Sequence, residues 1–299
     1  MKNNEKAIVF GSNGYIGRHL VKELISQEFE VEAYDISEPL LKVDCNFTRI
    51  DLLNKEELNL ISWDVEFIFL FAGLTGTDVG FSNYLNFINS NEIALLNVLD
   101  CIKDSNFNPR LVFPSTRLVY EGSEKPLKED SPKKPKTIYA MNKIACENYL
   151  DIYEQIFDVP YTIFRICVPY GNTIGDSYSY GTIGSQLDSL KNSNSIPLYG
   201  NGRLRRTFTH VDDIIDQIML TIKTEESKNN IFNIEGEDFS LLEVASLLID
   251  RFGGQINHVD WPQKALKIES GSTIFDSSKI HLILDYNLSS SLVSWVKSL

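Results

Sequence analysis

Tyr139 and Lys143 stand four residues apart in Tyr139-Ala140-Met141-Asn142-Lys143, so on a helix they share a face. A free tyrosine titrates near ~10. An ammonium beside it favours the phenolate and lowers that value. The pair could then act as a general acid or base on a hydroxyl near neutral pH. An ordinary amphipathic helix carries the same spacing by chance, so the surroundings decide. Upstream lies Ser115-Thr116-Arg117-Leu118-Val119-Tyr120, at the end of a predicted strand. Open α/β sheets place their active sites outside such strand ends.

A second stretch could bind phosphate. Gly11, Gly14 and Gly17 are spaced G-x-x-G-x-x-G between the apolar run Ala7–Phe10 and a helical pattern with Ile16, Leu20, Leu24 and Ile25 on one face. Strand, glycine turn and helix is the context of a dinucleotide fingerprint. Gly11 and Gly14 allow a tight turn and close approach to a pyrophosphate, and Gly17 lets the helix pack on the strand. The first-turn N–H groups around Asn13, Tyr15 and Ile16 then face the phosphates. Three glycines alone also suit a plain loop between core elements. The second strand, Glu30–Asp35, separates the two, because Asp35 lies 18 residues past Gly17, near the ~20 expected of a carboxylate on the ribose. Asp35 repels a 2′-phosphate, and no Lys or Arg follows until Lys42, so NAD is expected rather than NADP. A positively charged nicotinamide would acidify Tyr139 further. Asp51-Leu52 is a possible adenine contact, or a surface acid at a strand end. In Phe71-Ala72-Gly73 small residues let a cofactor approach. Asn91, inside a long helix without a capping role, could order water or backbone near the cofactor.

The chain has 299 residues, 43% of them hydrophobic, and a net charge of −13. That suffices for one large or two unequal domains. The charge argues against a nucleic-acid or anionic-membrane surface. Cys45, Cys101, Cys146 and Cys167 show no C-x-x-C pairing or metal spacing; no metal is expected, and a reducing cytoplasm suits them. No signal peptide is visible, and the longest apolar run, Phe67–Leu74, is too short to span a bilayer.

Strands are expected at Ala7–Phe10, Glu30–Asp35, Phe47–Ile50, Val65–Phe71, Pro109–Pro114 and Tyr161–Ile166. Helices are expected at Lys55–Ile61, Ser82–Lys103 and Thr137–Phe157, with an exposed loop at Gly122–Lys136. This alternation gives an α/β fold with a doubly wound, open parallel sheet. From about Val168 the rhythm breaks. Asn172–Gly184 reads as a substrate loop. A helix near Ile183–Lys191, a strand at Pro197–Tyr199 and helices near Val211–Lys223 and Leu241–Phe252 make a smaller, discontinuous C-terminal substrate lobe. The expected division is a dinucleotide-binding domain over 1–167, with segments such as 207–235 returning to it, and a mainly substrate-binding lobe over 168–299.

Taken in order, these motifs resemble the extended short-chain dehydrogenase/reductase family, in its group of nucleotide-sugar epimerases and dehydratases. Arg165 with Tyr170-Gly171, Arg206-Thr207-Phe208-Thr209-His210-Val211-Asp212-Asp213, Ile231–Ile234 and Asp276–Lys279 extend the match, the last two to the C-terminal lobe. The resemblance implies a Rossmann fold and a bound NAD. It makes Thr116, Tyr139 and Lys143 catalytic, with Lys143 also on the nicotinamide ribose. It gives Arg206 the diphosphate of a nucleoside-diphosphate sugar; Arg117, after the catalytic Thr, and Asn172, in the substrate loop, are this chain's own candidates for contact with the sugar. It also implies a homodimer packed through the Ser82–Lys103 and Thr137–Phe157 helices. His210 reads as a satisfied residue ahead of a capping Asp212, and Arg203 as part of a solvated loop. Family dehydratases carry Asp-Glu after the catalytic Thr, where this chain has Arg117-Leu118, so dehydration is not expected. Val168 replaces the family Asn three residues past Arg165, and Phe71-Ala72-Gly73 replaces His-Ala-Ala. The leading expectation is epimerisation through a transient 4-keto sugar. A nucleotide-linked 4-keto-6-deoxysugar reductase or 4-dehydrogenase is the alternative, and a catalytically idle NAD- or nucleotide-sensing protein a third.

Overall fold

The computed structural model describes residues 5–39, 44–171 and 181–299. Asn172, with residues 173–180 of its loop, lies outside them. The strands in chain order are β1 (Lys6–Phe10), β2 (Glu30–Asp35), β3 (Asn46–Arg49), β4 (Phe67–Leu70), β5 (Arg110–Thr116), β6 (Tyr161–Ile166), β7 (Val168–Tyr170), β8 (Ser195–Tyr199), β9 (Arg205–His210), β10 (Asn230–Asn233), β11 (Glu237–Ser240) and β12 (Gln255–Val259). The principal helices are α1 (Tyr15–Ser26), α2 (Lys55–Leu58), α3 (Tyr84–Ile88), α4 (Ala94–Asp104), α5 (Ile138–Phe157), α6 (Gly181–Ser193), α7 (Val211–Ile222) and α8 (Leu241–Phe252).

A seven-stranded sheet runs in the order β10-β6-β5-β4-β1-β2-β3. β1 pairs in parallel with both β2 and β4, and Phe10 is level with Tyr34 on one side and Leu70 on the other. The chain therefore starts in mid-sheet and winds outward both ways, a Rossmann arrangement whose switch point falls between β1 and β4. The carboxyl ends of β1, β2 and β4 finish together at Gly11, Asp35 and Phe71. β4 and β6 are buried at every position, as strands covered on both faces must be. Leu95, Val98, Leu99 and Ile102 repeat at helical spacing on α4 and pack with Ile8, Phe10, Ile68, Leu70, Leu111 and Ile163 in one core.

Three differences from the sequence expectation have physical causes. The helix expected over Ser82–Lys103 is interrupted between α3 and α4 by a π-helical turn, Asn89–Ile93. Asn91 in that turn is buried, and its carboxamide is engaged with the backbone of Leu74. Ile231-Phe232-Asn233, matched above to the C-terminal lobe, lie in β10 at the edge of the large sheet beside β6. The Gly122–Lys136 loop is not simply exposed: Leu127 is buried and bridges Phe275, and Lys133 bridges Tyr120.

By its contacts the chain forms two compact units. The first holds 1–119, 137–165 and 222–231; the second holds 120–136, 166–221 and 232–299. Residues 120–136 go with the second unit, and of 207–235 only 222–231 return to the first. The second unit contains the small sheets β11-β9-β7 and β12-β8. Its α8 begins with a capping box between Ser240 and Glu243.

Candidate active site

In the first unit, a cleft of about 320 Å³ opens at the carboxyl ends of β1, β2 and β4. Gly11, Gly14, Asp35, Asp51, Leu52 and Gly73 are among its lining residues, with Asn13, Phe71 and Ala72. Ile36, Ile50 and Leu53 add an apolar wall. α1 starts from Gly14, and no side chain caps that end, which leaves a helix N-terminus suited to an anion. A Cβ on Gly14 would meet nothing closer than Gly11 O at 3.2 Å. Gly14 thus leaves a cradle, and the apolar wall and Asp35 suit an adenosine, so the residues fit NAD. Gly11 also serves packing. It has φ +81°, and a Cβ there would lie 2.4 Å from Ala72 N, so it lets the β1 turn pass against the end of β4. Gly17 does the same inside α1.

Asp35 is organised rather than loose. Its Oδ2 accepts from Asn13 N–H at 3.0 Å, and its Oδ1 accepts from the Ser37 N–H and hydroxyl at 3.0 and 2.8 Å. A carboxylate has about four acceptor sites, so capacity for ribose hydroxyls remains. Leu52 is held through its carbonyl, which accepts from Asn97 Nδ2 at 2.9 Å. Asn97 is a positioning residue that the sequence reading missed; a buried Asn in an otherwise apolar helix face was its only signal. Asn91 does not line the cleft. Its Oδ1 accepts from Leu74 N–H at 2.9 Å and its Nδ2 donates to Leu74 O at 3.1 Å. A Cβ on Gly73 would sit 2.4 Å from that Oδ1. Asn91 therefore fixes the loop after β4, and Gly73 makes room for it. Tyr15, Ile16, Tyr139 and Lys143 are also outside the cleft lining.

One strand away, β5 ends in Thr116, and the α5 residue Lys143 is bonded to that strand end with Tyr139 on its own helix. Thr137 caps α5, its Oγ1 accepting from Ala140 N–H at 3.1 Å, which sets the helix start and the phase of Tyr139 and Lys143. Lys143 Nζ donates to Pro114 O at 2.7 Å, lies 4.2 Å from the Phe113 ring centroid, and 5.9 Å from that of Tyr139. Burial pulls its pKa down from 10.5 to about 8, while Cys146 and Glu147 act the other way. Tyr139 is half-buried. Thr116 is buried, and its Oγ1 accepts from Leu118 N–H at 3.3 Å, which leaves its own O–H to donate. Arg117, the next residue, is buried at 8% exposure.

In the second unit, Arg206 is buried with Nη2 2.9 Å from Glu269 Oε2. Its Nε is buried and has no hydrogen-bond partner among the described residues. An unmet donor on a buried guanidinium fits an anionic ligand. Arg205 pairs instead with Asp238 and Glu243, and Arg203 is exposed. His210 Nδ1 accepts from Asp212 N–H at 3.3 Å. Asp213 is a structural acid that accepts from Tyr286, Ser289 and Ser290.

Among curated relatives, "Uncharacterized UDP-glucose epimerase YtcB" of Bacillus subtilis is 25% identical over 96% of this chain and 94% of its own length. "Protein CapI" of Staphylococcus aureus is 27% identical over 75% of this chain and 71% of its own. Among solved structures, the UDP-glucuronic acid 4-epimerase of Bacillus cereus, in complex with UDP-glucuronic acid and NAD, superposes with a TM-score of 0.84 at 22% identity. That match covers 98% of this chain and 96% of the other and shows a shared fold. The model of the NAD dependent epimerase/dehydratase family matches residues 7–234. A fingerprint cleft suited to NAD, with a Thr-Tyr-Lys cluster at the neighbouring strand end, agrees with that match: the chain is an NAD-dependent enzyme and belongs to the epimerase/dehydratase family.

Proposed function

We propose that the protein is a 4-epimerase of a nucleoside-diphosphate sugar. The observation that supports this is the bond from Lys143, which lies near Tyr139, to the β5 end that closes with Thr116, with no acid following Thr116. NAD, when bound, supplies the hydride acceptor and donor for the sugar C4. Gly14, Asp35 and the wall around Leu52 would hold it. Tyr139 takes the proton of the C4 hydroxyl and later returns one. Lys143, charged below about 8, stabilises the phenolate. Thr116 donates to the reacting oxygen, and Arg206 binds the diphosphate through the donor left unmet. Arg117 stands where dehydratases have an acid, which disfavours loss of water. The UDP-glucuronic acid bound by the Bacillus cereus protein makes UDP-glucuronate a first substrate to try.

The purified protein, given UDP-glucuronate, UDP-glucose and other nucleotide hexoses without added reductant, is expected to form the 4-epimer with no net reduced nicotinamide. Isomerisation of none of these sugars would remove the epimerase reading. Stoichiometric change in reduced nicotinamide would instead favour a 4-keto reductase or 4-dehydrogenase.

The working form is proposed to be a homodimer in a reducing cytoplasm. Tyr84, Leu85, Ile93, Met141, Ile152 and Ile156 are large and exposed on or beside α3, α4 and α5, a patch of the kind that marks an interface. The four cysteines are free, and among the described residues no helix is long and apolar enough to cross a membrane. Sedimentation should show a dimer, and Ile152→Lys with Ile156→Lys a single chain. A wild-type protein that sediments as a single chain would end this proposal.

A further inference from the structure

Behind the Lys143–Pro114 bond lies a second link between β5 and α5 that the chemistry above leaves unused. Ser115, between Pro114 and Thr116, donates its hydroxyl to Glu147 Oε1 at 2.5 Å. Glu147 follows Lys143 by one helical turn. Its carboxylate is gripped by Arg165 of β6, with Nε 2.9 Å from Oε1 and Nη2 2.6 Å from Oε2. Glu147 is 7% exposed and the Arg165 side chain not at all.

An ion pair taken this far from water recovers little over an apolar pair of similar volume. Stability is therefore a poor reason for its presence. Its location suggests another. Pro114, Ser115 and Thr116 form the end of β5, and the first two are bonded to α5 at Lys143 and Glu147. Thr116 is thus presented by a strand end fastened at two points to the helix that carries Tyr139. The groups around Lys143 are few. Cys146 has its thiol pushed up to about 12 by burial, so it is neutral, and it donates to Asn91 O. Glu92, from the π turn, accepts from Asn142 and Tyr149. Phe113 and Tyr139 contribute rings. Glu147 is the carboxylate on the lysine's own helix that acts on its charge.

We propose that Glu147, held from behind by Arg165, is a positioning residue for the reaction: through Ser115 it fixes the strand end that presents Thr116 to the helix that carries Tyr139. This rests on the epimerase reading for its kinetics but not for the NMR signal of Thr116.

The test uses the NAD-bound protein and two variants. Ser115→Ala cuts the link and leaves the ion pair whole. It should fold with wild-type NAD content and an unchanged KM, while kcat drops about tenfold, the effect of losing one positioning hydrogen bond. Glu147→Met with Arg165→Met removes both charges at similar volume, which keeps the fold. In both variants the Thr116 methyl signal in ¹H–¹³C NMR should shift or broaden relative to the wild type, as expected of a strand end released from α5. The NMR readout needs no turnover, so inactivity of the wild type toward every sugar would count against the function and leave this signal to be judged alone. A folded, NAD-bound double variant whose Thr116 methyl signal matches the wild type would overturn the proposal. So would a Ser115→Ala protein with wild-type kcat, or one whose loss lies wholly in KM or NAD content.

Discussion

Tyr139→Phe is expected to keep the fold and the bound NAD and to lose about three orders of magnitude in kcat, within the range that a positioned acid–base group supplies. The substitution deletes one oxygen from a half-buried ring on the first turn of a capped helix, so packing changes little. What disappears is the group that exchanges the proton with the sugar hydroxyl. The same site predicts the alkaline behaviour. Lys143 is charged below about 8 and neutral above it. Its support of the phenolate is thus present at low pH and lost as pH rises through about 8, and kcat should fall there. Stability moves the other way for this residue. Its folded pKa is below the ordinary 10.5, so between about 8 and 10.5 the unfolded chain holds a proton that the folded chain has released, and the contribution of Lys143 to stability rises with pH. Activity lost while the melting temperature holds or rises would separate titration of Lys143 from alkaline unfolding. A fall in kcat that tracks melting would speak against it.

Gly17→Ala should be the most damaging single-methyl change in the nucleotide cleft. A Cβ on Gly17 would lie 2.0 Å from Gly11 O, 3.0 Å from Gly11 C and 3.2 Å from Ser12 Cα. All three are backbone or Cα atoms of the turn itself, so relief requires α1 to lift from β1. Overpacking of this kind costs about 3 kcal/mol or more when the obstacle cannot rotate away. The helix N-terminus would move with it, and the protein should purify without NAD. Gly14→Ala is the informative contrast. Gly14 has φ −66°, and a Cβ there meets only Gly11 O at 3.2 Å. The melting temperature should therefore stay near wild type while NAD content falls, because the methyl fills the space left for the phosphates. Thermal unfolding and the NAD released on denaturation read both outcomes. Equal melting temperatures for the wild type and Gly17→Ala would contradict the packing role.

Much of this was legible in the residues. Glu30–Asp35, Tyr161–Ile166 and Leu241–Phe252 have the bounds expected of them, because apolar period and termination signals coincide there. β9 was not read as a strand. Arg205-Arg206-Thr207 is polar, and its strand form depends on β11 and β7, which pair with it from distant parts of the chain. The π turn at Asn91 depends on Leu74, far back in sequence. Glu147 stood in plain view four residues past Lys143. Its meaning depends on Ser115 and Arg165, which only the folded sheet brings to it. Patterns of period two or 3.6 report local geometry; which polar groups meet is decided by the tertiary fold.

The most direct test of hydride exchange at C4 uses a nucleotide sugar carrying deuterium at C4, incubated with the NAD-bound protein without added cofactor. If hydride leaves and returns within one closed site while Tyr139 handles only the hydroxyl proton, the epimer formed should keep the deuterium at C4, with none in the water. Deuterium washed into solvent during epimerisation would mean that C4 exchanges a proton instead, and the assignment of Tyr139 and the NAD cleft to this reaction would be wrong.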